Sequence, residues 1–133
     1  MKSRDTLIRL KKFQVDERRR KVAQIETMIA EFERMAGDLD REIRVEQDRS
    51  GIHDPAHYAY PTYAKAALAR RDNLRHSVEE LRTQLADAQV ALQEACDERR
   101  KVELLGERER NAEARGQSDV DPLAILRSRA ALA

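Results

Sequence analysis

The sequence predicts an all-α fold, an antiparallel two-helix coiled-coil hairpin followed by a flexible C-terminal tail, and three observations predict it. Apolar residues recur every seven positions along two long segments. A short stretch rich in glycine, proline and tyrosine separates those segments, and the rest of the chain is mostly charge, alanine and leucine. Charged residues make up 38% of the 133 and aromatics only 4%, with no tryptophan, so a thick globular core is not expected. Hydrophobic residues still reach 41%, enough to order the chain if they share one stripe.

The first helix is expected from about residue 4 to residue 49. Stepping by seven from Ile8 gives Val15, Val22, Ile29, Ala36 and Ile43, an unbroken apolar series. The companion positions are Lys11, Arg18, Ile25, Phe32, Leu39 and Glu46, so both rows of the seam are apolar only between about Val22 and Ile43. Gly37 is the one breaker inside, at a cost of about 1 kcal/mol relative to alanine. The turn, about 50–61, follows: the stretch from Gly51 to Tyr63 holds all three tyrosines, two of the three prolines and two of the three histidines.

The second helix is expected over about 62–115, with Gly106 a weak point near its end. Ala67, Leu74, Leu81, Ala88, Ala95 and Val102 step by seven, with Val78, Leu85 and Leu92 as companions and Arg71 and Arg99 as polar breaks. Two heptad helices joined by a short breaker fold back antiparallel, each covering the other's stripe. With the turn centred near Pro55, Ile43 faces Leu68, Ile29 lies near Leu81 and Val22 near Ala88. Each arm then spans on the order of 70 Å, with both termini at one end. A continuous parallel dimer would place Gly51, Pro55 and Pro61 inside a helix, at about 3 kcal/mol per proline. Residues 1–116 thus form the hairpin and 117–133 a mobile tail, in which Asp121-Pro122 can open a short helix.

Charge narrows the function classes. The formal net charge of +1 conceals 26 basic and 25 acidic side chains, which argues against bulk attraction to nucleic acid or an anionic membrane. Charges interrupt every window long enough to span a bilayer, so no direct membrane insertion is expected. The lone Cys96 has no internal disulfide partner, and the first residues lack the apolar run of a secretory signal, so the chain is expected in the cytoplasm. His53, Asp54 and His57 could suggest a metal site, but Pro55 rules out a helical pair of histidines, and turn chemistry is the favoured reading. No phosphate loop, nucleophile triad or carboxylate pair in a cleft is present. Hence no enzyme, no catalytic residues, no cofactor and no metal are expected.

Two features remain as contact candidates. Arg18-Arg19-Arg20-Lys21 makes the terminal end of the first arm basic, and Arg99-Arg100-Lys101 is expected beside it across the hairpin; a solvated coiled-coil face is the plain reading of such a cluster, and among partners an acidic protein surface suits it better than specific nucleic-acid reading. Tyr58, Tyr60 and Tyr63 gather at the turn, either capping the end of the seam or meeting a partner.

The chain resembles the FliJ family of flagellar type III export components. The resemblance covers about Arg4 to Arg115, and it is carried by Thr6-Leu7…Val15-Asp16, the breaker near Gly51, the Tyr63-led start of the second helix and Arg99-Arg100-Lys101-Val102. It implies a small two-helix stalk that binds the hexameric flagellar export ATPase, touches the membrane protein of the export gate and handles export chaperones. It also implies a peripheral location at the cytoplasmic face of the inner membrane. On this resemblance Arg18, Arg19, Arg20, Lys21, Arg99, Arg100 and Lys101 are the expected ATPase contacts. Leu39 and Tyr63 match gate-contact positions, with Tyr58 and Tyr60 as further candidates. Arg70 and Glu46 depart from the apolar or aromatic pattern expected there. The other readings are a generic coiled-coil scaffold, an injectisome stalk and a nucleic-acid-binding helical arm.

Overall fold

The computed structural model describes residues 2–119, which form two long helices, α1 (Lys2–Ser50) and α2 (Thr62–Asp119), packed against each other as a helical hairpin. The short helix expected at Asp121-Pro122 lies outside the described residues. α2 begins at the expected Thr62 but runs on through Gly116 to Asp119 rather than stopping near Arg115. The strong helix formers Ala112 to Arg115 precede that glycine, and one helical glycine costs about 1 kcal/mol without forcing a stop.

The reversal is built from local hydrogen bonds. Gly51 takes φ 73°, a left-handed conformation that side chains disfavour, and its N–H donates to the Gln47 carbonyl at 2.8 Å. Ser50 Oγ accepts the Ile52 N–H at 3.2 Å, steering the chain out of α1. Asp54 Oδ1 accepts the Ala56 N–H at 2.9 Å, the Asx turn that the Asp54-Pro55 pair suggests. The Pro61 carbonyl accepts the Lys65 N–H at 3.0 Å, so α2 starts where a proline can no longer donate.

The described residues divide into two compact units, Asp16–Gln93 and the remainder of both helices, up to Val15 and from Glu94. In the first unit two apolar clusters fill the seam. Leu39, Ile43 and Ala67 pack with Leu68 and Leu74; Ile25, Leu81 and Ala88 pack with Val22, Ile29, Phe32 and Leu85. These are the pairings that the heptads predict. In the terminal unit Val15 and Ala95 are buried, and the helices approach closely at Gly106. A Cβ there would lie 3.3 Å from Arg4 Cδ and 3.7 Å from Ile8 Cδ1. The expected weak point is thus a packing point, and it continues the companion row Val78, Leu85, Leu92, Arg99.

Candidate functional site

In the Asp16–Gln93 unit, one flank of the seam is fastened by charge. Glu33 and Asp40 each follow a seam residue of α1, while Arg75 and Arg82 follow Leu74 and Leu81 of α2. Arg82 Nη2 donates to Glu33 Oε1 at 2.6 Å, and Arg75 Nη2 to Asp40 Oδ2 at 2.6 Å. Arg71, the polar break in the second heptad row, turns its Nη1 onto Asp40 Oδ1 at 2.8 Å. That hydrogen bond raises the Arg71 pKa above its ordinary value, against a smaller opposing effect of burial. The break therefore joins the ionic ladder, and its side chain is only 21% exposed.

The other flank lacks such a ladder and carries Arg18 and Lys21 of the first basic run. Arg18 and Lys21 border a groove of about 280 Å³ shared with Gln84, Asp87, Ala88 and Ala91. Ala88 and Ala91 are small and leave its floor low. Arg18, Arg19, Arg20 and Lys21 are all exposed. Arg19 reaches Asp16 at 3.9 Å, whereas Arg18, Arg20 and Lys21 make no ion pair among the described residues.

Arg99, Arg100 and Lys101 make up the second basic run. They belong to the terminal unit, one turn along α2 from the Glu98 carboxylate that receives Lys11 Nζ at 2.8 Å. Arg99 donates through Nε to Glu103 at 2.8 Å on its own helix, and Arg100 and Lys101 are exposed. The hydrogen bond from Lys11, reinforced by its charge, holds the Glu98 carboxyl below its ordinary value. Arg4 and Glu109 form another ion pair between the two helices of this unit.

The candidates near the reversal separate by exposure. Leu39 is a member of a core cluster, and Tyr60 is buried to 7%, its hydroxyl accepting a hydrogen bond from Gln47 Nε2 at 2.9 Å. Both hold the seam closed. Tyr58 is 96% exposed and stacks on the His57 ring with centroids 4.7 Å apart. Tyr63 is 56% exposed and donates its hydroxyl to Glu42 Oε2 at 2.6 Å, which raises its pKa. Sequence spacing alone did not divide these tyrosines, because the division depends on which one falls beneath Gln47.

His53 Nε2 lies 3.2 Å from Asp48 Oδ1, and His57 Nδ1 accepts the Ala59 N–H at 3.0 Å, so both rings take part in the turn. Among the described residues no group of three or more His, Cys, Asp or Glu is placed to hold a metal ion, and no helix is long and apolar enough to cross a membrane. Cys96 is a half-buried free thiol. Comparison with protein-family models, with curated proteins and with solved structures returned no match for this chain.

Proposed function

We propose that this chain is a coupling stalk of a type III protein-export apparatus, of the flagellar kind that its sequence resembles. In this reading it binds and stimulates a hexameric export ATPase and links that ring to the membrane export gate and to chaperones carrying export substrates. The observation that carries the reading is the open basic flank. Arg18 and Lys21 stand exposed beside a groove floored by alanine, with Arg20 exposed on the same helix, while the opposite flank is closed by Arg71, Arg75 and Arg82 on Glu33 and Asp40. One side of the hairpin thus fixes its register and the other is left for a partner.

The chemistry of that flank suits an acidic protein surface. Three unpaired cations attract carboxylates at long range, and a low alanine floor admits the small side chains of an approaching helix. Coupling needs contacts that differ between states of the ring, and exposed ion pairs, individually weak, can be exchanged among subunits without trapping one of them. Tyr58 and Tyr63 have the exposure that gate contact requires; Leu39 and Tyr60 act indirectly by holding the seam.

Charge reversal tests the reading. A triple variant, Arg18→Glu with Arg20→Glu and Lys21→Glu, should bind the export ATPase at least ~10-fold more weakly, with helicity by circular dichroism unchanged. Unaltered affinity for the ATPase in a well-folded variant would remove this flank from the account. Binding to a flagellar ATPase but not to an injectisome one, or the reverse, separates the two secretion systems.

A further inference from the structure

The terminal unit holds charge where the other unit holds its apolar clusters. Lys11 and Arg99 both stand in seam rows, with side chains only 22% and 26% exposed. Lys11 Nζ reaches Glu98 Oε2 at 2.8 Å, and Glu98 directly precedes Arg99, so the two cations occupy one layer between the helices. Their carboxylate partners, Glu98 and Glu103, are 55% and 42% exposed and lie at the rim. Among the described residues of this unit, Val15 and Ala95 are the buried apolar side chains, and they flank that layer on one side. On its other side Ile8 and Val102 are half-buried, and Gly106 lies against Arg4 and Ile8. Arg4 then pairs with Glu109 across the helices, near the start of α1. The cation layer is thus enclosed between contacts.

We infer that the terminal unit opens and closes as one cooperative piece, and that the layer of Lys11 and Arg99 sets how readily it does so. Two like charges in one layer repel, and each extends its stem along the seam to keep its head in water, so the layer draws the helices together only weakly. Glu98 and Glu103 offset the repulsion no more than exposed ion pairs do. Beyond the layer, the close approach at Gly106 and the Arg4–Glu109 pair hold the outer segments to each other, which resists stepwise fraying. Once the layer parts those contacts have nothing else to rest on, because a segment of about a dozen residues stripped of its partner is marginal as a helix in water. Separation of the arms and loss of their helical hydrogen bonds then come together as one local transition. The opening is a property of the chain alone, whether or not it serves an ATPase.

Residue-resolved amide hydrogen exchange of the full chain tests the inference. Amides of residues 5–14 and 96–112 should share one protection factor within about threefold, at least ~100-fold below that of residues 25–43 and 67–85. Lys11→Leu with Arg99→Leu puts apolar side chains in the layer and should raise protection throughout the terminal unit at least ~10-fold, leaving the Asp16–Gln93 unit unchanged. Glu98→Gln removes the charge that Lys11 meets and should lower it about 3-fold. Equal protection in the two units would overturn the proposal, as would protection that falls steadily toward residue 2, the mark of fraying. Terminal amides that ignore the double substitution, in a chain of unchanged helicity, would overturn it as well by placing the weak point elsewhere.

Discussion

The unit Asp16–Gln93 and the terminal unit are made of the same two helices, yet they solve packing differently. The first fills both heptad rows with apolar residues and sets its ion pairs on one flank. The second has Lys11 and Arg99 in its seam rows, a glycine where the helices approach closely, and Leu7, Leu10, Phe13, Leu104 and Leu105 exposed outside a seam that buries Val15. The difference teaches that a continuous helix need not be uniform in purpose. Where the seam is full the hairpin supports itself; where it is mixed, apolar side chains face outward and charges take their place between the helices.

The sharpest way to break this comparison is to truncate one apolar side chain in each unit. Ile43→Ala removes a buried member of a core cluster and should cost about 2–4 kcal/mol in urea denaturation. Leu105→Ala, at 55% exposure, should stay within about 0.5 kcal/mol. Equal losses at the two sites would show that the terminal unit packs as tightly as the other.

A smaller effect of opposite sign comes from Gly37. Its nearest foreign atom to an added Cβ is Arg41 Nη1 at 4.0 Å, so Gly37→Ala meets open space and should stabilise the Asp16–Gln93 unit by about 0.5–1 kcal/mol. The same change at Gly106 meets Arg4 Cδ at 3.3 Å, and the propensity gain is opposed by crowding. A larger rise in melting temperature for Gly106→Ala than for Gly37→Ala would contradict the close approach in the terminal unit.

The smallest effect is on pH dependence. Glu98 has its pKa held down by Lys11, so the pair's contribution is present above the unfolded carboxylate range and is lost as pH falls through the depressed folded value. Tyr63 has its pKa raised by Glu42, so its contribution is present below the ordinary phenol value of 10.0 and disappears as pH rises through the raised value. Acid should therefore loosen amides around Lys11 and Glu98, and alkali those around Glu42 and Tyr63, as read by residue-resolved NMR titration. Both groups are on the surface, so their effect on global stability should be slight.

Much of the hairpin is legible in the sequence because a seven-residue apolar repeat has one economical solution once Pro55 and Pro61 interrupt it. Even the pairing of Ile29 with Leu81 follows from centring the turn. The place of Leu39 is legible in the same register, although the resemblance assigns it a contact role. Leu39 belongs to the apolar row and is buried there. Other features depend on atomic contacts that no spacing encodes: the Gln47–Tyr60 hydrogen bond, Arg71 turning onto Asp40, and Gly106 admitting Ile8 and Arg4. The end of α2 was missed because a glycine signals a stop only where the backbone turns left-handed, as at Gly51.

The most direct test of the stalk reading is the rate of ATP hydrolysis by a purified flagellar export ATPase, titrated with the full chain. The account predicts stimulation that saturates near about one chain per ring and that the charge-reversed Arg18, Arg20 and Lys21 variant fails to produce. A rate that does not change at any ratio, in an enzyme shown to assemble into rings, would contradict it.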